Sequence, residues 1–421
     1  METTMKHIGI ITELNPFHNG HAYIIDAART HFPDKKVILM MSGDYVQRGE
    51  PAIFNKYVRT ECALSAGADL VFEIPALFAT ASAEHFASAS ILSLAATHLV
   101  DTLCFGVETN TLSLLQEIAH FLVTEPIPYQ HQLKELLASG LSYAKARSIA
   151  LSDHFTDPQF ADIMKQPNNI LAIEYLKAIE RYQLPITPFA IPRIGAGYHD
   201  TKLDHTICSA SALRHTIKQH SFSSCEELQA YMPDSSYQIL VNRSDARPLF
   251  WNDFLPFLQY AFLYPAQKFN KFCDVSNDFA NQLSAYHLLP DDFDSLLKEL
   301  SKKHMSDTRI KRCLLNILLM QTQTQMNYAK ANHYVSYLRL LGFRKEASCL
   351  LKEMQQTTSV PVIQKVTKAR EILPEETYHT FCNDIRKSHL YNQAFYNRYG
   401  ITLPTEYERN VIIYTSSHMI E

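Results

Sequence analysis

No GxxxxGK[ST] phosphate loop and no GxGxxG turn occurs in the 421 residues, which argues against P-loop and nicotinamide-dependent enzymes. The eight cysteines, Cys62, Cys104, Cys208, Cys225, Cys273, Cys313, Cys349 and Cys382, stand far apart, with no CxxC pair and no zinc-type spacing. They read as reduced thiols of a cytosolic protein. No stretch reaches the ~18 uninterrupted apolar residues of a membrane-spanning helix, and the leader METTMK has no apolar run of signal-peptide length. An excess of one charge is also missing. Lys plus Arg number 39 against 43 Asp plus Glu, a net −4 that by itself shows neither a nucleic-acid nor a membrane partner. No internal repeat or low-complexity tract stands out. What remains is a globular composition, 46% hydrophobic and 19% charged, with length for two or three domains.

Along the first half, short apolar runs alternate with helical patterns. HIGIITEL reads as a strand, NPFHNGH as a loop, and a helix follows to about Arg29. Further strands are expected at Val37 to Met41, Asp69 to Ile74 and Thr102 to Val107, with helices near Lys56 to Ala66 and Glu84 to Ala96. Strands that are apolar throughout predict an α/β fold with a doubly wound parallel sheet covered on both faces. PNNILAIEYLKAIERY reads as a later helix and ITPFAIPRI as a late strand, so the first domain is set at residues 1–220. The turn-rich segment 221–253 reads as a connection. Residues 254–421 read as a mostly α-helical domain, with RIKRCLLNILLM and NHYVSYLRLLG as amphipathic helices.

The sharpest chemical feature is His18-Asn19-Gly20-His21, between the first strand and its helix. A helix N-terminus presents unpaired N–H groups and partial positive charge, so phosphate oxygens can sit there. Gly20 permits close approach, and two imidazoles three positions apart can donate to phosphate oxygens as charge shifts in an in-line displacement. Asn15, Pro16 and Phe17 shape the approach. In CSASALR, Ser209 and Ser211 can cap a helix and bond phosphate, while Arg214 can hold a departing diphosphate. In SGDYVQRGEPAIFNKYVR, Asp44, Gln47 and Arg48 are acyl-site candidates, with Arg48 or Lys56 as the group for a small carboxylate. Gly106 and Glu108 end the fourth strand, where a backbone can approach adenosine. Asn168, Asn169, Arg193 and Ile194 should reach the same rim, with amides suited to an adenine edge or ribose.

GIITELNPFHNGH, SGDYVQRGEPA, FGVE, PNNILAIEYLKA, IPRIGAGYHD and CSASALR, followed by RIKRCLLNILL and YLRLLGFRKEA, stand in this order. The ordered set resembles the bacterial tRNA(Met) cytidine acetate ligase family, within the wider HxGH nucleotidyltransferases, over the chain to about Lys352. The resemblance implies a nucleotidyltransferase domain that activates acetate with ATP, releases pyrophosphate, and acetylates N4 of the wobble cytidine of elongator tRNA(Met). It implies ATP against Ile11, Thr12, Glu13, Asn15, Pro16, Phe17, His18, Asn19, Gly20, His21 and Ile24, with Gly106, Asn168, Arg193 and Ile194. Leu14 departs from the aromatic expected there, and Cys208 from a larger apolar residue.

The second step requires the cytidine amine to attack the acyl carbon, and Mg²⁺ is expected to bridge the phosphates. No protein metal ligands are assigned, and no obligate protein partner or membrane is expected. One local imbalance suits a tRNA partner. Arg309 to Arg370 holds eleven Lys or Arg and two Glu, a window of +9, with Arg309, Lys311 and Arg312 expected as leading tRNA contacts. The alternatives are an acetate ligase or adenylyltransferase acting on a protein thiol or small acid, a non-catalytic RNA-binding protein, and a metal-dependent hydrolase lacking a third ligand near His18 and His21.

Overall fold

The computed structural model describes residues 6–109, 111–141, 143–193, 208–219, 226–263, 268–301 and 305–415. The strands are β1 (His7–Thr12), β2 (Val37–Ser42), β3 (Tyr45–Val46), β4 (Glu50–Pro51), β5 (Leu70–Ile74), β6 (Val100–Val107), β7 (Thr187–Pro192), β8 (Leu338–Arg344), β9 (Val362–Ile363) and β10 (Ile412–Tyr414). Five of them form a parallel run in the order β5-β2-β1-β6-β7. The order reverses its direction of winding between β1 and β6, and open α/β sheets bind ligands outside the carboxyl ends of strands at such a point.

Both faces of the sheet are buried, as the unbroken apolar runs require. Along β2, Ile38 and Met40 join a core that includes Phe72, Phe86 and Leu94, while Val37, Leu39 and Met41 join another that includes Ile8, Val58 and Leu64. The first four helices cover these faces: α1 (Asn19–His31), α2 (Lys56–Ser65), α3 (Ala76–Ala79) and α4 (Ala83–Ala96). Gly9 in β1 leaves room for α4, since an added Cβ would stand 2.7 Å from a Leu94 methyl.

The second half corrects two expectations. LRLLGFR, expected within a helix, is β8, and it pairs antiparallel with β5 and parallel with β9 and β10. A strand buried on both faces and a buried helix give similar apolar runs, so periodicity does not separate them. Gly342 decides it locally, because an added Cβ would stand 2.7 Å from the Thr60 side chain and 2.9 Å from that of Leu64. The segment read as a connection contains the helix Asp234–Asn242, and its Leu240 belongs to the same core as β1 and α2. Met326, Leu338 and Met354 likewise share a core with β2 and β5. Helices do dominate the rest, with a further aromatic core around Trp251, Phe254, Leu314 and Tyr391.

A buried charge cluster joins the two halves. Lys56 Nζ, wholly enclosed, lies 2.8 Å from Glu73 Oε1, 3.4 Å from Glu406 Oε1 and 3.6 Å from Asp44 Oδ2, and donates to Ser388 Oγ at 2.8 Å. Arg339 in β8 pairs with Glu73 at 3.1 Å and with Glu406. Lys56, Asp44 and Glu73 come from the first 74 residues, the others from beyond residue 338. Among the described residues no helix is long and apolar enough to cross a membrane.

Candidate active site

The histidine pair stands at the C-terminal end of β1. Leu14 turns the chain through a left-handed conformation, φ +50°. Asn15 and Phe17 are then buried, and Asn15 Oδ1 accepts from the Ile53 N–H at 2.8 Å, which ties the loop to the segment after β4. His18 is the N-cap of α1, an unusual residue there, and its Nδ1 accepts from the Gly20 N–H at 3.0 Å. With Nδ1 accepting, the ring proton of neutral His18 sits on Nε2, which makes that nitrogen a donor.

His21 follows one turn later, its ring centroid 3.9 Å from that of His18 and 5.8 Å from that of Phe17. Burial, and then the positive charge of Arg193, lower its pKa to about 3. Burial, His21, Arg193 and Arg214 also hold His18 well below the ordinary imidazole value. Both rings are therefore neutral near pH 7. His21 Nδ1 is buried and has no hydrogen-bond partner among the described residues, an arrangement that costs free energy unless a ligand satisfies it.

Cations surround this pair. Arg214, in the helix Ala210–Gln219, donates to the Asn15 carbonyl at 2.8 Å and to Ser211 Oγ at 3.2 Å. Its guanidinium lies 3.4 Å from Glu50, whose other oxygen is 2.7 Å from Lys311 Nζ. Burial alone would raise the Glu50 carboxyl, but Arg214 and Lys311 hold it below its usual range. Ser209 Oγ accepts from the Ala212 N–H at 3.1 Å, as an N-cap does. Gly106 brings α1, β6 and the end of β7 together. A Cβ there would stand 3.0 Å from Ile24 Cδ1 and 3.3 Å from Arg193 Cγ.

Glu108, beside Gly106 at the end of β6, spends its side chain within the protein. Its carboxylate accepts the N–H groups of Asn168 at 3.3 Å and Asn169 at 3.0 Å, at the start of the helix Pro167–Arg181. Asn169 is fully buried, and its amide is spent on the Glu108 N–H, Thr109 and Gln166. It builds the rim from behind. Ile194 lies outside the described residues, as does the GAGYHD segment after it.

The acyl-site candidates separate. Asp44 is buried and accepts the Lys56 N–H at 3.0 Å, and Lys56 is locked in the interior cluster, so both are corrected from substrate contacts to scaffold. Gln47 and Arg48 do reach the crevice rim. The Gln47 N–H donates to Glu13 Oε1 at 2.7 Å, and Arg48 Nε lies 3.9 Å from Glu13 Oε2, with Arg214 and Arg193 close enough to press on its charge. Gly49 lets the loop pass against the helix Asp307–Leu318. Its φ is +74°, and a Cβ would stand 2.4 Å from the Arg312 backbone nitrogen.

The expected tRNA contacts on that helix have acidic partners within the protein. Arg309 and Arg312 pair with Asp274 at 3.3 and 2.9 Å, and Lys311 pairs with Glu50. Arg339 has Glu73 and Glu406, and Arg370 has Glu375. The +9 window is thus offset by acids that the sequence places elsewhere. Lys330, Lys345, Lys352 and Lys365 are exposed and have no ion pair among the described residues. Glu50, which pairs with both Arg214 and Lys311, is a residue of this loop to which sequence reasoning gave no role. Only its position two residues after Arg48 marked it.

A profile of the HIGH Nucleotidyl Transferase family matches residues 5–402. The tRNA(Met) cytidine acetate ligase of Caldanaerobacter subterraneus subsp. tengcongensis is 34% identical over 395 residues, covering 93% of this chain and 96% of that protein. The corresponding ligase of Acetivibrio thermocellus is 35% identical, covering 97% and 100%. The fold matches the apo crystal structure of Thermotoga maritima TmcAL with a TM-score of 0.92 at 27% identity, over 98% of this chain and 100% of that one. It also matches TmcAL bound with alpha-thio ATP, with a TM-score of 0.89 at 26% identity and the same coverage. The chain belongs to the HIGH nucleotidyl transferase family and, within it, to the tRNA(Met) cytidine acetate ligases.

Proposed function

We propose that this protein is a cytoplasmic ligase that activates acetate with ATP and transfers the acetyl group to N4 of the wobble cytidine of elongator tRNA(Met). The observation that carries the reading is the neutral His18–His21 pair at the head of α1, with its unpaired buried nitrogen and its flanking arginines. The relatives' names supply the acceptor, and the ATP analogue on TmcAL supports the nucleotide.

In the first step an acetate oxygen attacks the α-phosphorus and the α–β phosphoanhydride bond breaks, giving acetyl-adenylate and pyrophosphate. His18 donates from Nε2 to a phosphate oxygen, and His21 offers a second preorganised donor. Uncharged imidazoles suit this task, because the arginines already supply the positive charge and neutral rings avoid repelling them. Arg214, aimed by Glu50 and Asn15, holds the departing diphosphate, while Arg48 is the candidate for the acetate carboxylate. In the second step the cytidine amine attacks the acyl carbon and AMP leaves.

Among the described residues no three His, Cys, Asp or Glu gather to hold a metal ion. Mg²⁺, which is commonly bound by one or two carboxylates plus substrate phosphates, fits this site as part of the nucleotide, with Glu13 the carboxylate on the rim. When bound it would neutralise phosphate charge.

Incubation with labelled acetate, ATP and tRNA(Met), followed by mass analysis of the digested tRNA, tests the reading. Label is expected in N4-acetylcytidine at one position and only with ATP. Transfer from acetyl-CoA without ATP would overturn it.

A further inference from the structure

A cavity of about 310 Å³ opens between α3, the helix Gln323–Ala331, the chain leading into β8, and the helix Glu375–Tyr399. Its walls are aromatic, with Phe78 from α3, Tyr328 from the second element, and Tyr334 and Tyr337 ahead of β8. The hydroxyls pin these rings in place. Tyr328 donates to Glu376 at 2.6 Å, Tyr337 donates to Asp384 at 2.6 Å, and Tyr334 shares a hydrogen bond with His85 at 3.0 Å. At the polar side, Asn383 accepts from Arg386 through Oδ1 at 2.9 Å, and its Nδ2 makes no hydrogen bond among the described residues. Lys387, paired with Asp384 at 3.0 Å, also lines the cavity.

The location is specific. β8 runs antiparallel to β5 with Arg339 opposite Glu73, so the residues ahead of β8 stand at the carboxyl end of β5, where α3 also begins. β5 is two strands from β1 and β8 three, roughly 10 to 15 Å along the sheet, so the cavity opens at the same carboxyl rim as the histidines, with Phe78 and Tyr334 in the core on the α4 face and Phe17 in that on the α1 face. Gln47 spans the gap, with its N–H on Glu13 and its Nε2 on the Ala81 carbonyl, just past α3.

Single-stranded RNA is recognised by stacking unpaired bases on aromatic rings and by hydrogen bonds to their edges. The cavity offers both, with the Lys387–Asp384 pair in its wall. Its volume lies at the small end of ligand pockets, which run from ~300 to ~1,000 Å³; a flat ring with its sugar suits it and a helix does not. We propose that this cavity takes an unpaired nucleobase of the tRNA anticodon loop, close to the cytidine that is acetylated, and so positions that cytidine over the histidine crevice. The proposal rests on the functional reading above.

The test is a binding cycle with a fluorescent anticodon stem-loop of tRNA(Met). Tyr328→Ala and Asn383→Leu are expected to weaken binding by about tenfold or more, while Tyr328→Trp retains it. Acetate-dependent ATP–pyrophosphate exchange should continue unchanged in all three. With wild-type protein, one abasic substitution in the loop should weaken binding by a similar factor, and that same abasic RNA should lose nothing further with Tyr328→Ala. Affinities unchanged in both cavity variants, or losses that multiply at every loop position, would overturn the proposal. Absence of acetate-dependent exchange in the wild-type protein would instead defeat the functional reading, and the RNA cycle would still report on the cavity.

Discussion

Replacing His21 by Gln separates what the imidazole does in the crevice from what it costs the fold. Its pKa is lowered from 6.5 to about 3 in the folded chain, so between those values the unfolded chain binds a proton that the folded chain refuses. Stability then rises with pH across that window and is lost as pH falls below about 6.5. Between pH 8 and pH 5 the loss from this one group amounts to at most ~2 kcal/mol, the ceiling applying because the side chain is only half-buried. Gln keeps a polar side chain and does not titrate, so the variant lacks this loss. Urea denaturation of both proteins at pH 8 and pH 5 should show the variant gaining on the wild type by up to ~2 kcal/mol at the lower pH, since all other titrating groups are common to both. Acetate-dependent ATP–pyrophosphate exchange should fall by ~10²-fold or more at either pH, as expected when a preorganised donor to a transition state is removed. Parallel stability profiles would refute the claim that His21 is held neutral by its surroundings. Undiminished exchange would refute its catalytic assignment.

Lys56→Met leaves Glu73, Glu406 and Asp44 buried with one cation fewer, and breaking a buried pair in this way is expected to cost ~3–5 kcal/mol, read from the urea midpoint. A variant as stable as the wild type would remove the cluster's role as the clamp between halves. Glu50→Gln releases Arg214 and Lys311 together; exchange should slow roughly tenfold with little change in Tm, equal to ~1.4 kcal/mol of lost transition-state stabilisation. Unaltered exchange would dismiss Glu50 as the residue that aims Arg214. Arg312→Glu sets like charges against each other at Asp274 and should destabilise by ~1–3 kcal/mol. An unchanged urea midpoint with weaker, less salt-dependent tRNA binding would show instead that Arg312 faces phosphate.

The parallel run of strands and its nucleotide site were legible because each rests on local pattern. The apolar run of β1, the breakers of NPFHNGH and the helix after it put His18 and His21 at a strand end by adjacency alone. Gly106, where a side chain would press on Ile24 and Arg193, also fell where the pattern of strand ends suggested. The ordered motifs were enough to indicate the family over most of the chain.

What the tertiary structure decided are the relations between distant segments. β8 is an apolar run whose partners β5 and β10 lie more than 260 residues before it and about 70 after it, with only the two-residue β9 nearer, so no local period could mark it as a strand. The charge of Arg309 to Arg370 seemed unbalanced along the chain, yet Glu50, Asp274, Glu73 and Glu406 meet it in space. Asp44 and Lys56 looked like loop residues open to a small acid, and folding buried them with each other. Periodicity and adjacency act within a few residues and can be read in order. Charge pairing and the burial of an ion depend on which segments fold together, and that is set by the whole sheet.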